Sequence, residues 1–233
     1  MKLPFRDTGR LEAFSDGVFA ISATLLVVTL EVPSSFEQLL ASLYGFIAFA
    51  FSFTMLILIW SAHYKFFRRF PLEDNWTIAL NALLLFLVLL YVYPLKFLSV
   101  AMIWAMFGST ATYLPSISLR GMDDLRLLFI IYGIGFSMVF VSLALFYLRA
   151  RLLSDKLNLS RPDRFHVDTE MGQYLVYSAI GLLSVGIAVT GIGMRLGLPG
   201  WVYFLIGPAM YLFHFIRDRQ KKALGLVETA EEE

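Results

Sequence analysis

The chain has 233 residues, of which 58% are hydrophobic and 16% are charged, and its mean hydropathy is +0.71. Soluble domains carry about 25% charged residues, so this composition excludes a soluble globule and indicates a membrane protein. The formal net charge of +1 provides no overall field for nucleic acid or acidic substrates, and no nucleic-acid partner is expected. The lack of cysteine excludes disulfides, thiolate metal sites and cysteine nucleophiles.

Six apolar segments follow one another along the chain, and a membrane helix needs about 20 such residues. The segments cover residues 11–32, 36–64, 75–107, 125–147, 171–194 and 201–216. Pro94 predicts a kink inside the third segment, and residues 196–200 predict a tight connector before the sixth. The sequence therefore predicts an all-α integral membrane protein with six transmembrane helices. We expect one domain over residues 1–223 and a disordered acidic tail at 224–233.

The basic residues predict the orientation of these helices. Most of the 19 lysines and arginines fall at the N-terminus, between segments two and three, between segments four and five, and at the C-terminus. Cytoplasmic loops carry the excess of such residues in membrane proteins. Both termini are therefore expected in the cytoplasm, which agrees with an even number of helices.

No known catalytic pattern is present. The three histidines, His63, His166 and His214, lie in different segments, and HExxH, GxSxG and Walker motifs are absent. We expect no enzyme, no cofactor and no fixed protein metal site. The TVGYG loop of familiar potassium filters is also absent. The related letters YGIG at 132–135 lie inside an apolar run, where small residues favour helix packing.

The first segment has two different surfaces. Because an α-helix turns about 100° per residue, Asp16 lies nearly opposite an apolar stripe. The stripe consists of Ile21, Leu25 and Val28, with Thr24 at its edge. By itself this stripe is more typical of lipid contact or core packing than of a functional site.

Asp16 requires a partner or a place near the membrane interface, because an unpaired carboxylate at the bilayer centre costs about 2.5 kcal/mol or more. Four residues at a similar depth could supply that partner: Arg10, Trp60, His63 and Asn81. We predict a structural polar network at this end of the first helix, without a catalytic role.

These residues resemble those of a known family. The pattern Arg10-x-x-x-Phe14-Ser15-Asp16 resembles the RxxxFSD motif of the transmembrane protein 175 potassium channels, in particular their bacterial single-repeat branch. The resemblance continues through six later positions and then becomes topological only. These positions are Trp60, His63, Arg68, Arg69, Asn81 and Pro94.

The resemblance implies a homotetramer whose first helices line a pore on the symmetry axis. It implies a constriction at Ile21, further apolar layers at Leu25 and Val28, and a hydroxyl layer for selectivity at Thr24, near which K⁺ passes in transit. Valine is shorter than the leucine common at the last layer, which predicts a wider layer there. The polar network then comprises Arg10, Phe14, Ser15, Asp16, Trp60, His63 and Asn81.

The function expected from the resemblance is a potassium-selective, leak-type channel in the inner cell membrane. Its partners are K⁺ ions, the lipid bilayer and further copies of the chain. Two alternatives stay open at this point. The first is a secondary transporter or proton-coupled carrier, and the second is a membrane scaffold whose first-helix stripe faces lipid.

Overall fold

The computed structural model describes residues 9–28, 34–107 and 120–226. These residues form helices joined by short turns, and none of them belongs to a β-strand. The α-helices are, in chain order, α1 (Arg10–Val28), α2 (Phe36–Arg69), α3 (Asn75–Phe107), α4 (Met122–Leu152), α5 (Arg161–Thr190), α6 (Leu198–Trp201) and α7 (Ile206–Ala223). Short 3₁₀ turns at Met194–Leu196 and Val202–Leu205 flank α6.

The first compact unit lies within Met1–Leu119, and in it α1 packs against both α2 and α3. Helices α2 and α3 also pack on each other, and the Ser52 hydroxyl donates to the Leu95 carbonyl oxygen at 3.5 Å. Pro94 lies inside α3 without ending the helix. The centre of this unit is largely aromatic and leucine-rich, with buried Phe19, Leu26, Leu56, Phe66, Phe67, Phe70, Leu84 and Leu85.

The second compact unit lies within Arg120–Glu233 and is built on α4 and α5. The two helices run antiparallel and approach closely at small residues, as small side chains allow in membrane helices. A Cβ atom added at Gly181 would collide with the Ser137 hydroxyl oxygen. The same hydroxyl donates to the Gly133 carbonyl oxygen of its own helix at 2.7 Å and lies 3.1 Å from the Ser178 carbonyl oxygen of α5. Helix α7 packs on α5.

Five segments of the described residues are long and apolar enough to cross a bilayer: Phe49–Arg69, Asn75–Leu95, Met122–Leu152, Arg161–Thr190 and Leu198–Ala223. Helix α1 is not among them, and it carries Arg10, Glu12 and Asp16 in its first two turns. The protein is a multi-pass membrane protein, and the predicted all-α class is confirmed. The prediction of one domain over 1–223 with a tail at 224–233 stays a prediction.

Several predicted bounds differ from those of the helices. Helix α2 ends at Arg69 instead of residue 64, and α4 covers Met122–Leu152 instead of residues 125–147. Helix α5 begins at Arg161 instead of residue 171, because Ser160 and Asp163 form a capping box: each side chain accepts from the other residue's backbone N–H. Polar residues after Ser160 thus belong to the helix. The predicted sixth segment is interrupted: it starts as α6, tightens into a 3₁₀ turn and continues as α7. Residues 29–33, at the end of the first predicted segment, lie outside the described residues.

Candidate functional site

One face of α1 is buried against α2 and α3 of the same chain. Ser15, Phe19, Ser22 and Leu26 recur at helical spacing, and all four side chains are buried. The two hydroxyls satisfy themselves within the helix: Ser15 donates to the Leu11 carbonyl at 2.8 Å, and Ser22 to that of Val18 at 2.9 Å. Serine on this face therefore allows close packing without an unsatisfied donor.

Ser15 begins a hydrogen-bonded chain across three helices. The Asn81 side-chain amide on α3 donates to the Ser15 oxygen at 2.9 Å. The side-chain carbonyl oxygen of Asn81, Oδ1, lies 2.8 Å from Nε2 of His63 on α2. Since that oxygen only accepts, the His63 nitrogen is the donor. Asn81 and His63 are 1% and 2% exposed, so this chain joins α1, α2 and α3 in a buried environment.

Aromatic rings surround the His63 side chain. The Phe19 ring of α1 lies 5.6 Å from the imidazole, and the Phe67 ring lies 4.6 Å from it, both centroid to centroid. Phe66 packs edge-on against Phe67 at 5.3 Å. Apolar rings thus surround the hydrogen-bonded chain and exclude water from it. The low local dielectric constant strengthens the electrostatic part of these hydrogen bonds.

Asp16 takes a different partner from its neighbour Ser15. The indole N–H of Trp60 on α2 donates to the Asp16 carboxylate at 2.8 Å. The Trp60 ring stacks on Tyr64 at 5.5 Å, and Arg68 donates to the Tyr64 hydroxyl at 2.5 Å. The residues on α2 are four apart and so share one face. Contacts along this face therefore connect the Asp16 carboxylate, through Trp60 and Tyr64, to Arg68 near the end of α2.

Two members of the predicted network are not brought into these hydrogen bonds. Arg10 and Phe14 are both exposed, and the Phe14 side chain retains 64% of its accessible surface. Of the four partners considered for Asp16, Trp60 bonds to it directly, whereas His63 and Asn81 connect to Ser15. Residues Phe19 and Tyr64 were missed by the sequence reasoning, although the spacing of Phe19 from Ser15 marks one helical face.

The face of α1 opposite the buried one is open. Ile21 is 57% exposed, Thr24 is exposed, and a Cβ added at Gly17 would meet no atom within 4 Å. The Thr24 hydroxyl donates to the Ala20 carbonyl at 2.9 Å. Leu25 is partly buried at the edge of this face, and the side chain of Val28 lies outside the described residues. The open face therefore presents Ile21 and Thr24, with the exposed Phe14 seven residues before Ile21 on the same side of the helix.

The described residues contain no group of three or more histidine, cysteine, aspartate or glutamate side chains placed to hold a metal ion. The open face offers the Thr24 hydroxyl and the bulky apolar side chains of Phe14 and Ile21. Such a face can line a passage or contact a partner.

Comparisons with known proteins identify related sequences over nearly the whole chain. A family model described as the endosomal/lysosomal potassium channel TMEM175 matches residues 10–91. A potassium channel from Marivirga tractuosa is 37% identical over 221 residues, which cover 92% of this chain and 90% of that protein. A potassium channel from Chamaesiphon minutus is 29% identical over 198 residues, which cover 78% of this chain and 88% of that protein.

Solved structures agree with the sequence matches. The crystal structure of a variant of the potassium channel MtTMEM175, in complex with a nanobody fusion protein, matches with a TM-score of 0.81 and 34% identity. That match covers 94% of this chain and 97% of the other. The crystal structure of a lysosomal potassium-selective channel TMEM175 homologue from Chamaesiphon minutus matches with a TM-score of 0.53 and 24% identity. This match covers 85% of the present chain and 97% of the other. The second likeness supports the fold alone.

Proposed function

This chain belongs to the TMEM175 family of potassium channels, and on that premise we propose that it is a leak-type channel that conducts K⁺ selectively across the inner cell membrane. Relatives that match over most of their own length are named potassium channels. This is a family of channels and not of enzymes, in agreement with the missing catalytic motifs. No cofactor enters the proposed function.

The proposed pore lies on the symmetry axis of a homotetramer and is lined by α1. The observation that carries this proposal is the division of α1 into two faces. Ser15, Phe19, Ser22 and Leu26 are buried within the subunit, whereas Ile21 and Thr24 face outward. Fourfold symmetry would turn each outward residue into a ring around the axis.

Ile21 forms the proposed constriction. A ring of isoleucine side chains narrower than a hydrated ion excludes water, and a dry constriction blocks ions. Leu25 at the edge of the open face and Val28 further along α1 would form the next apolar layers of the constriction, and the shorter valine would make the Val28 layer the wider one. A small tilt of α1 would then be enough to wet the ring and permit flow.

Thr24 forms the proposed selectivity layer, through which K⁺ passes without a fixed metal site. Its hydroxyl proton is used within α1, in the bond to the Ala20 carbonyl. A hydroxyl oxygen retains two lone pairs, so this bond orients the threonine as an acceptor. A ring of such acceptors can replace part of an ion's water shell. Because potassium holds its water less tightly than sodium, partial dehydration favours potassium.

The polar network would hold α1 in place from the side of the helix that faces away from the proposed pore. The bonds of Ser15 to Asn81 and of Asp16 to Trp60 attach two successive residues of α1 to two different helices. Two attachments on adjacent residues resist rotation of α1 about its own axis. The rotational setting of α1 decides which residues face the symmetry axis, so the network would keep Ile21 and Thr24 directed at the pore. Both termini would lie in the cytoplasm.

The decisive experiment is single-channel recording of the purified protein in planar bilayers under opposing K⁺ and Na⁺ gradients. Ile21→Ala is expected to raise the unitary K⁺ current, because a smaller side chain widens and wets the ring. Ile131→Ala is the matched control: Ile131 is also exposed, at 46%, but lies on α4, and its replacement should leave the current unchanged.

Saturating flux without unitary currents would instead indicate a carrier and would refute the channel proposal. Equal currents in the wild type and in Ile21→Ala would refute the constriction but leave conduction itself intact. Silent substitutions on both faces of α1, with no flux at all, would favour a scaffold.

A further inference from the structure

Helix α7 carries an exposed stripe that changes from aromatic to cationic along its length. Tyr211, Phe215, Arg219 and Lys222 are spaced by four, four and three residues, so they share one side of the helix. All four are exposed. We call this set the α7 stripe.

The members of the α7 stripe contact one another in sequence. The rings of Tyr211 and Phe215 are nearly parallel, at 14°, with centroids 6.5 Å apart. The Arg219 guanidinium lies 4.4 Å from the centroid of the Phe215 ring, in the range of a cation–π contact. The guanidinium is thereby held close to the apolar part of the stripe.

The length of the apolar segment places the two cations at the membrane surface. No lysine, arginine, aspartate or glutamate occurs from Leu198 to Ile216. At about 1.5 Å per residue this stretch is close to the roughly 30 Å of a bilayer's hydrocarbon core. Because the segment begins at Leu198, charge first appears at Arg217, where the helix leaves the hydrocarbon. The aromatic pair then lies at the boundary and the cations lie among the headgroups.

Arg217 does not belong to the α7 stripe and instead contacts α5. Its guanidinium donates to the Thr169 hydroxyl at 2.9 Å and to the Phe165 carbonyl at 3.1 Å, and it lies 4.0 Å over the Phe165 ring. These contacts fasten α7 to α5 and hold the stripe in place. By contrast, Arg219 and Lys222 take part in no ion pair within the described part of the chain. Asp218 is the one acidic residue along α7, so this turn keeps a net positive charge.

We propose that the α7 stripe binds the headgroup of an anionic phospholipid in the leaflet that this end of α7 faces. The phosphate would lie between Arg219 and Lys222, and the acyl chains would lie along Phe215 and Tyr211. Charge selects this occupant: juxtamembrane lysines and arginines attract anionic lipids. A two-fold contact between two copies of this surface would place the same two cations against each other, which opposes self-association of that kind.

Native mass spectrometry of the full-length protein in detergent tests the proposal, with dioleoylphosphatidylglycerol and dioleoylphosphatidylcholine as probes. The wild type should bind phosphatidylglycerol more tightly, and Arg219→Gln/Lys222→Gln should weaken that binding about thirty-fold while phosphatidylcholine binding stays the same. Lys156→Gln/Arg161→Gln is the control, because it removes two exposed cations from the α4–α5 turn. The control should bind phosphatidylglycerol like the wild type.

Three results would overturn the proposal. The stripe variant could keep its preference for phosphatidylglycerol, or the control could lose as much as the stripe variant, which would indicate a general charge effect. The stripe variant could also change the number of subunits per particle without changing lipid binding, which would make the surface a subunit contact. Since bound lipid is read from mass, failure here is distinct from failure of ion conduction.

Discussion

Asn81→Ala is expected to lower the free energy of unfolding by about 3–5 kcal/mol. Asn81 is almost fully buried and bridges Ser15 on α1 and His63 on α2, with donor–acceptor distances of 2.9 and 2.8 Å. Each hydrogen bond contributes about 1 kcal/mol net, and a buried donor that loses its acceptor adds about 1–3 kcal/mol. Ser15 keeps its bond to Leu11, so the larger cost falls on the histidine side.

Thermal unfolding of the detergent-purified protein, followed by tryptophan fluorescence, measures this change as a fall in Tm of about 6–20 °C. Thr54→Ala is the control. Thr54 is exposed on α2, and its hydroxyl bonds to the Ala50 carbonyl one turn back, so its loss should cost less than about 0.5 kcal/mol.

Asn81→Leu distinguishes the hydrogen bonds from the volume of the side chain. Leucine fills a similar space but neither donates nor accepts, so it should be destabilising to a similar degree as alanine. Recovery of wild-type stability in Asn81→Leu would show that packing, and not the bridge, holds these helices together. A Tm of Asn81→Ala within about 1 °C of the wild type would refute the reasoning altogether.

Three further outcomes are expected. Thr24→Val should shift the reversal potential toward equal K⁺ and Na⁺ permeability, and an unchanged potential would remove Thr24 from selectivity. Asp16→Asn keeps an acceptor for Trp60 but loses the charge that strengthens the bond, so a cross-linking assay should show less tetramer, or recordings fewer openings; normal assembly and current would contradict this. Gly181→Ala should cost about 1–3 kcal/mol by overpacking, whereas Gly186→Ala, into open space, should leave the Tm unchanged.

Much of the fold could be predicted from the lengths of the apolar segments in the sequence. The third segment, at residues 75–107, has the bounds of α3 in the structure, because long apolar runs in a membrane have few alternatives to a helix. The start of α5 could not be found this way, since its first turns are polar. Its signal was local: Ser160 and Asp163 are spaced as a capping box.

The sequence by itself determined that α1 has unlike faces, because a periodicity of 3.6 residues separates Ile21 from Ser15 and Asp16 without reference to any neighbour. It also narrowed the partners of Asp16 to residues at one depth. Only the tertiary structure decided that Trp60 binds Asp16 while Asn81 binds Ser15. Partner choice depends on how far α1 is rotated against α2 and α3, and that rotation is set by the packing between helices.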